Sequence, residues 1–234
     1  MARSFYFVIL MIPALLSSTA EESKIYQVKK IQEEELIITG KGDSPMWKKA
    51  TELSGFIYPW EKEKAPFTSF KALHNKEWLY CFFKVKDEKI NVYVNNNHKS
   101  EALYSDRVEI FFRKDAQMLP YYGLEMDPNG RVYDYEANYP LKINDTWSWP
   151  AGHLIIKTNK TKDGYTVETA FSKESLNQLG LLKENKIEAG LFRGECIELN
   201  GKVSKLKWIS WVRPDSKTPN FHIPSAFGTL ILKY

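Results

Sequence analysis

Residues 107–112 read RVEIFF and residues 121–136 read YYGLEMDPNGRVYDYE, and the phase of these two stretches decides the fold. Side chains along a strand alternate between its two faces. Val108, Ile110 and Phe112 therefore point one way and Arg107, Glu109 and Phe111 the other. One face is core, and the other is polar and aromatic. In the second stretch Leu124 and Met126 turn inward, leaving Gly123, Glu125 and Asp127 on the opposite side. Asp127-Pro128-Asn129-Gly130 then supplies a turn, with proline preset at its first central position and glycine after it.

The same grammar extends in both directions. Lys71 to Lys86 holds a turn at His74-Asn75-Lys76 followed by EWLYCFFKV, apolar on both faces, which predicts a central strand buried on two sides. His153 to Asn159 and Gly164 to Phe171 form a hairpin, and Ser172 caps a short helix running to Leu179 and ending at Gly180. Runs at Ile187 to Phe192, Leu206 to Val212 and Thr229 to Leu232 bring the count to about nine strands or more. Strands at this spacing, with Gly and Pro turns and hardly any helix, predict an all-β chain, an antiparallel β-sandwich with one short helix. The alternation of strands and helices that a parallel α/β sheet requires is missing.

Composition narrows the function. The 234 residues carry 33 Lys+Arg against 29 Asp+Glu, a formal charge of +4, too even for nucleic-acid binding by bulk charge. Hydrophobic residues at 43% and charged ones at 26% exclude a disordered chain and a multi-span membrane protein. The 14% of aromatic residues is high, which suits strands and stacking on flat apolar faces.

Residues 1–20 read as a signal peptide: Arg3, an apolar stretch from Phe5 to Leu16, and the small-residue exit Ser17-Ser18-Thr19-Ala20. Cleavage near Ala20 places residues 21–234, a single β-sandwich domain, outside the cell or in the periplasm. The apolar stretch is too short for a membrane anchor, and no transmembrane segment remains in the mature chain. Two cysteines, Cys81 and Cys196, are too few for a disulfide scaffold; they either pair or, as the alternation around Cys81 favours, stay as small buried hydrophobes. No CxxC or paired histidines accompany them.

The order of segments resembles the family 9 carbohydrate-binding modules. The matching pieces are GKGDSPMWKKA, KALHNKEWLYCFFKVKD, SDRVEIFFR, YYGLEMDPNG, GYTVETAFSKESL, GLFRGECI and SWVRPDSKTPNFHIPSAFGTLIL, which together span roughly residues 36 to 233. The resemblance implies a β-sandwich that binds a sugar between two tryptophans, with polar groups reaching the hydroxyls. It points to a polysaccharide or oligosaccharide partner, xylan and cellulose being the expected kinds, bound by a monomer without catalysis. Here Leu103-Tyr104 and Phe221-His222 stand where the family has its tryptophans, so Tyr104 and Phe221 are the expected substitute pair.

A pyranose offers an apolar C–H face and a rim of hydroxyls, so its site needs an aromatic surface with a few fixed donors and acceptors. The candidate set is Tyr104, Arg107, Glu109, Glu125, Asp127, Arg193, Trp211, Phe221 and His222, with Arg213 beside Trp211. Plainer readings exist: Arg107 and Glu109 as a cross-strand charge pair, His222 as a packing residue, and Trp47 and Trp78 as core. Trp147 and Trp149 are left open between core and stacking rim. Glu109, Glu125 and Asp127 have the oxygen chemistry of a calcium site, and family members carry structural calcium, but no EF-hand-type spacing appears. No metal ligand and no cofactor is assigned.

Two alternatives belong to other classes. A glycoside hydrolase needs two carboxylates at roughly 5–9.5 Å, one holding its proton, and Glu109 with Glu125 could be that close across a pair of strands; beside Arg107 they are expected to stay ionised. A haem-binding DOMON-like domain needs Met and His ligands, for which Met118, Met126, His74, His98, His153 and His222 are available. No GxSxG, HExxH or P-loop is present.

Overall fold

A computed structural model describes residues 24–32 and 36–234; the signal peptide inferred at residues 1–20 lies outside them. Thirteen strands are present among the described residues: β1 (Ile25–Lys30), β2 (Thr68–His74), β3 (Trp78–Lys86), β4 (Arg107–Arg113), β5 (Tyr121–Met126), β6 (Val132–Asn138), β7 (Lys142–Asn144), β8 (Leu154–Thr161), β9 (Gly164–Ser172), β10 (Leu182–Lys183), β11 (Lys186–Asn200), β12 (Val203–Ser210) and β13 (Gly228–Leu232). The one α-helix among the described residues, α1 (Lys173–Gln178), starts where the serine cap placed it. Ser172 Oγ accepts from the Ser175 amide at 3.0 Å.

Two sheets face each other. The first runs β7-β6-β5-β4-β11-β13-β1 with β10 and β12 also on β11, and the second runs β1-β2-β3-β9-β8. The expected sandwich is present, with one departure from antiparallel pairing. β1 pairs in parallel with β13 through Ile25–Val28 and in parallel with β2 through Lys29 and Lys30, so a single strand ties the sheets together. Its six residues carry no long apolar pattern, and only the partners reveal their direction.

The alternation read at β4 and β5 holds. Val108, Ile110, Phe112, Leu124 and Met126 meet Phe70, Leu79, Cys81, Phe83, Val167 and Phe171 of the second sheet in one buried cluster. β3 is central, flanked by β2 and β9. Trp149 is buried here as core, its indole N–H donating to Ser175 Oγ at 3.2 Å, while Trp147, half-buried, packs against the same cluster with its ring 6.0 Å from that of Trp149. Cys81 and Cys196 are both unbonded and buried, as small hydrophobes are; burial pushes the Cys81 thiol up to about 12.

The outer face of the second sheet is covered by the chain between residues 36 and 50. Trp47 and Leu36 pack on Tyr80 and Phe82, with Trp78 at the edge of the same cluster. Glu168, fully buried, holds this cover down: its carboxylate accepts from the amides of Thr39 at 2.9 Å and Gly40 at 2.5 Å and from the Trp47 indole at 2.6 Å. A buried carboxylate is stable only with such donors.

Among the described residues no helix is long and apolar enough to cross a membrane.

Candidate functional site

Because the inner faces of β4 and β5 are spent on the core, Arg107, Glu109 and Phe111 of β4 and Gly123 and Glu125 of β5 share the outer face of the first sheet. Glu109 lies directly opposite Glu125, and Phe111 opposite Gly123. β6 adds Tyr133 and Tyr135, β11 adds Phe192, and β12 adds Trp208 opposite Gly194. Glycine is required at 123 because Tyr135 lies across it: a Cβ there would stand 2.1 Å from the ring. A smooth spot on β5 thus lets aromatic side chains lie flat on the sheet.

The segment after β12 returns across this face. Phe221 stacks on Phe192 with ring centroids 4.1 Å apart and planes 11° from parallel. Trp208 meets Phe221 edge-on at 5.7 Å, and Trp60 sits at 5.4 Å on the other side, its indole N–H donating to the Ser216 carbonyl at 2.8 Å. Trp60, Trp208 and Leu103 are half-buried and pack on the same cluster. Phe221 and Phe192 are buried in this stack, so the ring surface left accessible is that of Trp60 and Trp208.

Beneath it sits a compact ionic group. Arg107 donates from Nε to Glu125 at 2.6 Å and from Nη1 to the Leu103 carbonyl at 3.1 Å, while Trp208 lies over its guanidinium at 5.2 Å. The same Nε is 2.9 Å from Glu109 Oε1, but its N–H is directed at Glu125. Glu109 Oε1 is left buried without a hydrogen-bond partner among the described residues. One guanidinium cannot offset two carboxylates out of water. Burial, and then the charge of Glu125, push Glu109 up to about 8, and burial raises Glu125 as well. This corrects the expectation that both stay ionised: the arginine is outnumbered. Burial, with Arg107 second, lowers His222 to about 4, so it is a neutral ring; its Nδ1 lies 2.9 Å from the Tyr121 hydroxyl.

Of the nine candidates, Arg107, Glu109, Glu125, Phe221 and His222 come together on this face, and four do not. Arg193 faces inward, because it pairs with Val108 and shares that residue's phase; it is fully buried against Asp87. Trp211 is buried in the inter-sheet core, its ring packed over Gly228, and the neighbouring Arg213 is exposed and donates to the Pro59 carbonyl. Asp127 closes its own turn: fully buried, it accepts from the Arg131 side chain at 2.7 Å, and Arg131 in turn reaches Glu101 at 2.6 Å. Tyr104 turns aside to Tyr93, at 5.5 Å, and its neighbour Leu103 takes the place on the face. Trp60, Trp208 and Tyr133 were missed. The phase of β12 was the available signal for Trp208, whereas Trp60 arrives on a loop that nothing local positions.

The residues named for other chemistries are engaged separately. His74 Nε2 lies 2.8 Å from the Lys233 carbonyl, His153 Nδ1 is 2.7 Å from Ser172 Oγ, and His98 caps a 3-10 turn. Met126 is in the inter-sheet core and Met118 in the outer-face cluster. Among the described residues no group of three or more His, Cys, Asp or Glu is arranged to hold a metal.

Residues 38–234 match the model of the carbohydrate family 9 binding domain-like family. The chain belongs to this family. Solved structures carry the same fold. A carbohydrate-binding protein ascribed as such from Bacteroides uniformis aligns with a TM-score of 0.69 at 16% identity, over 90% of this chain and 99% of that one. A family 9 module from Caldicellulosiruptor kristjanssonii in complex with cellotriose aligns at 0.56 with 18% identity, over 89% and 93% of the two chains. A structure of a family 9 module from the same organism in complex with glucose gives 0.54 and 19%, over 89% and 95%. No curated protein matches. As a family 9 domain, the chain is a carbohydrate binder, and the resemblance read from its segments holds over nearly all of the described length.

Proposed function

We infer that this family 9 domain binds a saccharide at the aromatic platform on the outer face of the first sheet, without catalysing its cleavage. The observation that carries this is the convergence of Trp60, Trp208 and Phe221 above the Arg107, Glu109 and Glu125 group. Rings supply the apolar surface that a pyranose C–H face needs. The family's two tryptophans are replaced here by a platform drawn from β12, the returning segment and a loop, so the sugar packs against the half-buried Trp208 and Trp60, which Phe221 supports from within.

Hydrolysis fits less well. Glu109 and Glu125 are 2% and 5% exposed, and an attacking water needs open access to one of them. The binding uses no cofactor. The leader at residues 1–20 supports export, and a polysaccharide or its fragments outside the cytoplasm is the partner this reading selects.

Calorimetry of the full mature chain with glucose and cellotriose tests the proposal. Trp208→Ala should weaken binding by about tenfold, the loss of one stacked ring and of its hold on Arg107, with the thermal transition retained. Unchanged affinity in Trp208→Ala and Phe221→Ala together would remove the platform from the argument. Reducing sugar released from a polysaccharide would favour the hydrolase, and a Soret band in the purified chain would favour haem.

A further inference from the structure

We propose a second saccharide site at the end of the sandwich, in a cavity of about 820 Å³ that shares no residue with the platform. The proposal goes beyond the reading above. β4 begins at Arg107, opposite Gly194, and from there β11 continues alone with β12. The space left beside β11 is walled by the loops at residues 54–68 and 86–91 and by Glu195, Cys196 and Ile197. Its size falls in the range of small-molecule sites, roughly 300–1,000 Å³.

Arg193 lies behind the lining and holds part of it in place. The side chain is fully buried, with Nη2 2.7 Å from Asp87 and 3.7 Å from Glu195, and Nη1 donating to the Lys86 carbonyl at 3.3 Å. Asp87, Glu195 and Lys86 all line the cavity. Arg193 thus fixes two of the lining carboxylates in place without itself reaching the cavity. Phe56 is buried in the wall, and Phe67 lines the cavity while standing 44% exposed, which offers a ligand an apolar ring face.

The charges select the ligand. The lining carboxylates of Asp87, Glu88 and Glu195 disfavour an anion, and Lys64, Lys86 and Lys89 disfavour a cation. What remains is a neutral molecule with hydroxyls to donate to Asp87 and Glu195, oxygens to accept from the lysines, and an apolar face for Phe67. A sugar ring has all three.

The test is an amide-shift titration of the isotope-labelled mature chain with cellotriose, xylotriose, mannotriose and galactotriose. At least one should move the amides of residues 54–68, 86–91 and 195–197. Those shifts should survive in Trp208→Ala and weaken roughly fivefold in Phe67→Ala, a surface change that leaves the fold intact. No movement there with any of the four sugars would overturn the proposal, and so would shifts that vanish in Trp208→Ala, since that would mean one site. Shifts at the platform alone would overturn this inference while leaving the first reading standing; shifts at the end cavity alone would do the reverse.

Discussion

Glu109→Gln should make this domain more stable at alkaline pH and leave it nearly unchanged in acid. Glu109, Glu125 and Arg107 are all buried, and the neutral groups packed around them are Tyr121, Tyr135 and His222. The folded Glu109 carboxyl holds its proton up to about pH 8, whereas the ordinary value is 4.5. Between those values the folded chain binds a proton that the unfolded chain has released, so stability falls as pH rises through the window. At about 1.4 kcal/mol for each pH unit, the loss between pH 4.5 and 8 is on the order of 4 kcal/mol. Glutamine mimics the protonated carboxyl and cannot ionise. The assay is urea unfolding of both proteins from pH 4.5 to 9, read as the difference between them, because Asp106, raised to about 7 by burial, adds its own decline in both. The difference should be within about 1 kcal/mol at pH 4.5 and grow to several kcal/mol by pH 8.5, equivalent to roughly 2–4 °C of melting temperature per kcal/mol at this chain length. A difference that stays flat across the range would refute the argument that one guanidinium serves two buried carboxylates.

Other substitutions separate packing from binding. Gly123→Ala places a methyl 2.1 Å from the Tyr135 ring and should cost about 1–3 kcal/mol by thermal unfolding, since the ring cannot rise without disturbing Phe111. Glu168→Ala strands two amides and an indole N–H; the expected loss is about 2–4 kcal/mol, with protease cleavage appearing between residues 41 and 44 before the core unfolds. Trp211→Ala empties a core position and should lower stability by about 3–5 kcal/mol, while sugar affinity measured below the melting transition stays within twofold.

The chain's own pattern was enough to find the sandwich, the central strand β3, the cap of α1 and the polar face of β4 and β5. Alternation with a period of two is a local property, and in RVEIFF and YYGLEM the two phases differ in polarity, so each residue announces its side. GLFRGECI has no such contrast. Phe192 and Arg193 are both large, and only the pairing of Arg193 with Val108 sends the arginine inward and the phenylalanine out to Phe221. Trp211 looked like a neighbour of the site by its position after β12, yet one residue of phase carries it into the core while Ser210 takes the other face.

What sequence alone determined was therefore the class of fold, the family and which face of two strands is polar, because these follow from the order and alternation of residue types. Tertiary structure decided the membership of the site. Trp60 comes to Phe221 from a loop, the Glu109 and Glu125 carboxyls meet one arginine across a strand pair, and a cavity opens where β11 outruns β4. Each depends on distances between segments far apart in the chain, and no local pattern encodes such a distance.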